Sequence, residues 1–190
     1  MSAVGKGIWL SAVIWLAPVG YISAREWHTV CLNDFARDCE GWVVQEPPGS
    51  TFSRVSRGRF SRGAFSAVFE FHSDAGEAVL LKTFRPPLDL TGQSSGSLVE
   101  LFAWIYLPPC AAEWDLVFGV YCDEDWKWGA ADEQGLLPGW HRITLPVESI
   151  PDPADVRQLK IILRGQPSTP CEVLLDRVCA IFTPEKEQTQ

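Results

Sequence analysis

A chain of 190 residues with 24 acidic and 16 basic side chains carries a formal charge of −8. That balance argues against nucleic acid and anionic membrane surfaces as partners, since both repel a polyanion. The length is one domain's worth and, at 46% hydrophobic residues, enough to bury a real core.

Residues 1–24 read as a secretory signal peptide. Lys6 is the only charge there, the run from 7 to 22 is uncharged and largely apolar, and Ser23-Ala24 gives a small-residue exit before Arg25 and Glu26. A retained membrane anchor is the competing reading. Sixteen residues reach only about 24 Å as a helix against a hydrocarbon core of roughly 30 Å, and Pro18 and Gly20 weaken that helix. No cysteine follows the apolar run closely enough to carry a lipid. The expected location is therefore secreted, periplasmic or cell-surface. A single domain would occupy 25–182, with a disordered polar tail at 183–190.

Beyond the signal segment no stretch shows helical periodicity. Apolar residues alternate, or come in short runs between Gly, Pro, Ser and Asp clusters. This predicts eleven strands, at 29–35, 42–44, 52–55, 65–71, 78–84, 98–107, 115–122, 126–130, 141–146, 158–164 and 172–182. Turn chemistry separates them, including Pro47-Pro48-Gly49, Pro86-Pro87, Pro108-Pro109 and Pro151-Asp152-Pro153. Eleven short strands demand two packed antiparallel sheets, a jelly-roll β-sandwich.

Six cysteines, all beyond the predicted cleavage point, fit an oxidising destination, and none forms a C-x-x-C zinc knuckle. Cys171 and Cys179 bracket one strand and stand roughly 26 Å apart, beyond disulfide reach. The same argument discourages Cys110 with Cys122. Cys31 and Cys39 are spaced as Cys171 and Cys179 are. If the first and last strands pair antiparallel with Cys31 opposite Cys179, then Asp34 faces Asp176 and Cys39 faces Cys171. Cys31–Cys179 is the favoured bridge; for Cys171, Cys39 and the loop-borne Cys110 compete.

Five of the nine tryptophans fall between Trp104 and Trp140. If 126–130 is a strand, Trp126 and Trp128 share a face, with rings about 7 Å apart. Flat aromatic surfaces beside hydrogen-bonding groups suit sugar rings, and Asp123, Asp125 and Lys127 stand ready to bond hydroxyls. Burial of both rings in the core is the alternative, since Trp is usually well covered. Asp123, Glu124 and Asp125 also raise glycoside hydrolysis, which needs two carboxylates about 5–9 Å apart. Three adjacent acids lack the alternating spacing that sets such a pair on one strand. His28, His72 and His141 lie in unrelated segments with no nucleophile elbow beside them. Arg54, Arg57, Arg59 and Arg62 form a basic patch, by default a solvated face, that would suit an acidic glycan. Nothing asks for a redox cofactor.

Certain segments recur in a familiar order: Asn33-Asp34-Phe35, Gly41-Trp42, Gly63-Ala64-Phe65-Ser66-Ala67-Val68 and Pro87-Leu88-Asp89-Leu90. Phe102-Ala103-Trp104-Ile105-Tyr106, Pro138-Gly139-Trp140 and Val173-Leu174-Leu175-Asp176-Arg177-Val178 complete the series. The order resembles the galactose-binding-like β-sandwich of carbohydrate-binding modules attached to secreted glycoside hydrolases, across roughly residues 29–182. The resemblance implies core roles for Trp42, Trp104 and Trp140, and a separate hydrolase or envelope protein as a partner. It departs from pattern at Ala36, where the modules carry a glutamate, and this weakens an inherited structural calcium site. Two facing carboxylates, Asp34 and Asp176, still invite calcium between them.

The expected function is thus secreted, non-catalytic binding of a polysaccharide or other glycan, by Trp126 and Trp128 or by the concave face of a sheet. One alternative is an extracellular protein–protein or envelope-scaffold sandwich with the tryptophans buried. The other is a small glycan-active hydrolase, which requires two carboxylates in one cleft.

Overall fold

The computed structural model describes residues 27–47, 50, 52–56, 65–71, 76–91 and 96–183. The signal segment, Arg57, Arg59, Arg62, His72 and the tail from 184 lie outside these residues, and of Arg54 only the backbone is described.

Among the described residues eleven strands form, in two antiparallel sheets. The six-stranded sheet runs β3 (Phe52–Ser56), β4 (Phe65–Phe71), β11 (Cys171–Phe182), β6 (Leu98–Leu107), β9 (Gly139–Pro146), and β1 (His28–Asn33) also pairs with β11. The five-stranded sheet runs β2 (Trp42–Glu46), β5 (Glu77–Leu88), β10 (Val156–Gly165), β7 (Trp114–Cys122), β8 (Lys127–Leu136). The single helical turn among the described residues is a short 3-10 segment, Val147–Ser149. The sandwich follows from period-two patterning. In β7, Trp114, Leu116, Phe118, Val120 and Cys122 point inward, and Leu159, Ile161 and Leu163 of β10 lie beside them. Opposite them β6 supplies Leu101, Ala103 and Ile105, and β11 supplies Val173, Leu175 and Val178. Each large side chain removed from water here contributes on the order of 1.5–3 kcal/mol.

Two elements run further than their sequence patterns indicate. β5 continues through Pro86-Pro87 to Leu88. The prolines fit because β2 pairs only with the stretch from Val79 to Lys82, and the ladder to β10 breaks between Thr83 and Leu88. No ladder N–H is needed at either proline. β8 extends to Leu136 through a polar, largely exposed stretch. It is an edge strand, and a solvated edge leaves little hydrophobic pattern to detect.

Asn33 ties the two sheets together at the start of the fold. Its Oδ1 accepts the indole N–H of Trp42 at 3.2 Å, and its Nδ2 donates to Glu40 at 2.6 Å. Both Asn33 and Trp42 are buried, so the indole N–H finds its acceptor away from water. Phe35, Glu40 and Gly41 adopt left-handed backbone conformations in the connection, which lets it turn sharply from one sheet to the other.

Several sequence expectations need correction. Cys171 is bonded to Cys110, not to Cys39: Cys171 stands beside Phe71 in the ladder, where Cys110 on the β6–β7 connection reaches it. Cys39 lies in the connection between β1 and β2, not on a strand, so the long shared register of the first and last strands does not form. Cys31 does stand opposite Cys179, but the ladder bulges beyond it and ends with Asn33 opposite Val178. Leu32 is the extra residue there, on β1, while Arg177, at φ 42°, is the extra residue of β11 against β6. Asp34 therefore does not face Asp176. Its carboxylate accepts the Ala36 N–H at 2.9 Å, while Asp176 is buried across from Trp104 on β6. Of the three tryptophans assigned to the core, only Trp42 is there. Trp104 and Trp140 are half-buried on the outer face of the six-stranded sheet, because their neighbours Ala103, Ile105 and Ile143 take the inward positions.

Candidate functional site

The tip of the β7–β8 hairpin gathers the sequence-predicted residues. Val120 and Cys122 point into the core, so Tyr121 between them points outward. The chain then turns through Asp123-Glu124-Asp125-Trp126, with Asp123 at φ 54° and Trp126 at φ 55°. The Trp126 N–H reaches the Asp123 carbonyl at 3.4 Å, and the Asp123 carboxylate accepts the Asp125 N–H at 2.7 Å. A left-handed tryptophan costs about 1–2 kcal/mol relative to glycine, and the closed turn holds it there.

Trp126 thus belongs to the turn, and β8 starts at Lys127. Period-two alternation does not bring the two indoles together; Tyr121 does. Trp126 meets the Tyr121 ring edge-on, with centroids 5.8 Å apart and planes at 75°. Trp128, opposite Tyr121 in the ladder, leans on it at 4.6 Å and 44°. Gly119 makes room for this, since a Cβ there would stand 2.2 Å from Cη2 of Trp128. The far end of that indole therefore lies directly over the glycine backbone. From β10, the Lys160 ammonium sits 5.1 Å from the Tyr121 centroid, a cation–π distance. Trp126 remains 50% exposed and Trp128 40% exposed. Their surfaces are available.

Ion pairs brace the tip from below. Lys127 bonds Asp123 at 2.6 Å, and this contact holds the Asp123 carboxyl below its ordinary range and the Lys127 ammonium above its own. Arg157 grips Asp155 through two bonds, at 3.1 and 3.0 Å, and lies 3.6 Å from Glu124. Asp155, just before β10, in turn accepts the Asp123 N–H through its carbonyl and so ties the turn to the start of that strand. Burial pushes the Cys122 thiol up, leaving it a packing group.

Of the predicted contact residues, Asp123 and Lys127 satisfy each other and shape the turn, whereas the Asp125 side chain is exposed beside Trp126. Tyr121, Gly119 and Lys160 were not anticipated. Alternation from Val120 would have placed Tyr121 outward. Lys160 lies one strand away in space but far along the chain, and sequence spacing carries no trace of that.

The same outer face continues along β7 and β10 through Val117, Ile162 and Lys160. It ends about 20 Å away, by strand rise, at a polar pocket of roughly 510 Å³. Glu113, Asp115, Arg164 and Gln166 line it, with Arg164 paired to Glu77 at 2.6 Å. Among the described residues no group of three or more His, Cys, Asp or Glu side chains is placed to hold a metal ion.

No family model matches the sequence, and no curated protein matches it. Solved structures do share its fold. One is a carbohydrate-binding module of the β-sandwich superfamily with promiscuous specificity, at a TM-score of 0.56 and 14% identity over 78% of this chain. The chain spans 60% of that protein's length. The family 11 module of Clostridium thermocellum, in complex with a β-1,3-1,4-mixed-linked tetrasaccharide, gives 0.56 at 11% identity, covering 83% of this chain and 98% of that one. The first family 27 module of Caldicellulosiruptor saccharolyticus, in complex with mannohexaose, gives 0.55 at 14% identity, covering 80% and 96%. The chain has the antiparallel β-sandwich fold of these carbohydrate-binding modules.

Proposed function

We propose that this protein is a secreted, non-catalytic module that binds a polysaccharide or other glycan on the outer face of its five-stranded sheet. Tyr121, Trp126 and Trp128 form the stacking platform at one end. The observation that carries the reading is that two indoles braced on one tyrosine keep 50% and 40% of their surface in water. A scaffold role would have them covered, and free apolar surface of this size is otherwise unfavourable.

A pyranose ring laid on Trp126 or Trp128 would cover that surface, while Asp125, Gln158 and Lys160 offer hydrogen bonds to its hydroxyls. The remaining length of the face, about 20 Å, accommodates an extended oligosaccharide. The neighbours of this fold that were solved with mannohexaose and with a mixed-linked tetrasaccharide support that reading. Binding needs no bond-breaking step, and the Asp123 carboxylate is occupied by Lys127. The role of a separate hydrolase or envelope protein as partner belongs to this same proposal.

The test is depletion of the protein from solution by a panel of insoluble and soluble polysaccharides, with Trp126→Ala/Trp128→Ala alongside and reducing-sugar release monitored. Retention on one glycan class, lost by about 30-fold or more in the folded double variant, is expected from removing two aromatic contacts. Absence of retention on every glycan by the folded protein overturns the proposal in favour of a scaffold. Release of reducing sugar overturns it in favour of a hydrolase.

A further inference from the structure

Among the described strands β1 pairs in its sheet with β11 alone, and its one cysteine stands directly across from one in β11. Val30 pairs with Ala180 and Thr29 with Ile181, so the register at Cys31 and Cys179 is fixed by regular pairs before it. Directly opposed residues of antiparallel strands have Cα atoms about 4.5 or 5.5 Å apart, and both values fall within the span of a disulfide. The sulfurs are already turned toward each other: the Cys179 thiol donates to the Cys31 sulfur at 3.2 Å. We propose that Cys31 and Cys179 form a second, exchangeable disulfide that fastens β1 to β11.

The two sulfurs are not equivalent. Cys31 is exposed, whereas Cys179 is 2% exposed. The hydrogen bond from Cys179 is the largest influence and favours the Cys31 thiolate; partial burial and Asp34 oppose it, and the nearby Arg177 guanidinium adds a smaller push in its favour. That same bond, with burial, pushes the Cys179 thiol up. Exposure and thiolate character together make Cys31 the group that meets an oxidant. The oxidant is a disulfide, RS–SR, such as oxidised glutathione or the disulfide of an oxidoreductase. The Cys31 thiolate attacks one of its sulfurs and releases RS⁻, leaving a mixed disulfide. Cys179 gives its proton to the leaving thiolate and its sulfur displaces the second RS⁻, which takes up the Cys31 proton. Two cysteine thiols and RS–SR become one protein disulfide and two RSH.

The bond would act at the entry to the fold. β1 ends at Asn33, whose side chain holds Trp42 of the other sheet, so fastening β1 also secures that link. The loop it closes is much longer than the one closed by Cys110–Cys171, which separates its cysteines by 61 residues.

The full chain is equilibrated in glutathione buffers from reducing to oxidising, alkylated and digested with trypsin without reduction. The peptides spanning 26–37 and 178–186 each hold one of the two cysteines, and Cys39 falls in 38–54. The expected result is a 26–37/178–186 crosslink that appears in oxidising buffer, with a rise in Tm of about 5–15 °C. In Cys179→Ser, Cys31 should retain glutathione as a trapped mixed disulfide. In Cys31→Ser, a change at an exposed position that leaves the core untouched, Cys179 should be alkylated at least tenfold more slowly than Cys31 is in the Cys179→Ser protein. A crosslink from 26–37 to 38–54 would overturn the proposal. So would complete alkylation of both thiols in oxidising buffer while Cys110–Cys171 is intact, or equal alkylation rates.

Discussion

Gly119 lies directly beneath the six-membered ring of Trp128, so close that a Cβ would stand 2.4 Å from Cζ2 and 2.2 Å from Cη2. The glycine is where the sheet yields its own side chain so that an indole can lie along its surface. Gly119→Val should displace Trp128, because the far end of the indole can swing outward more easily than two hydrogen-bonded strands can part. Glycan retention should fall at least tenfold, while stability drops by only about 1–2 kcal/mol. Binding assays paired with denaturant titration distinguish this from a general loss of fold.

Trp126 offers a comparison in which binding and stability move apart. Its φ of 55° favours glycine over any other replacement. Trp126→Gly and Trp126→Ala should lose binding equally. Trp126→Gly should be the more stable of the two by about 1 kcal/mol, read as a difference in denaturation midpoint.

The turn's ion pair sets a pH window. The Asp123 pKa is depressed in the fold from 3.8, so its contribution is present above that value and is lost as pH falls through the folded pKa. The Lys127 pKa is raised from 10.5, so its contribution is complete below that value and is lost as pH rises through the folded pKa. Tryptophan fluorescence should be flat across neutral pH and change below about pH 4, in the range of ordinary carboxylates. Asp123→Asn should abolish that acid limb.

Asn33→Ala should remove the acceptor for a buried indole N–H. Leaving that donor unsatisfied costs about 1–3 kcal/mol, and the Asn33–Glu40 bond is lost as well. Urea denaturation should show the loss, and Trp42→Phe in the same background should recover part of it by deleting the orphaned donor.

The strands were legible because the core is built by alternation, and alternation is written residue by residue. β7 shows this best: Leu116, Phe118 and Val120 inward, Val117 and Tyr121 outward. The hairpin tip was legible in composition, since Trp126, Trp128 and three acids are adjacent in sequence. Its geometry was not, because Trp126 takes a left-handed conformation that no strand pattern anticipates. The cysteine register failed at a single bulged residue, Leu32 of β1, which moves Asn33 opposite Val178 and ends the ladder there. Cys110 reached Cys171 through a loop, and the position of a loop in space is fixed by the sheets around it.

β11 is the partner of β1, β4 and β6 alike, so the larger sheet has no middle until residues through Phe182 have been synthesised. Its contacts join the two ends of the described chain, and such high contact order slows folding. A ribosome-bound intermediate lacking this strand would expose the unpaired edges of β4 and β6 and the apolar faces meant to meet it. Completion of the larger sheet therefore waits on the emergence of β11, and the last strand to be made is the one that joins the others into a single layer.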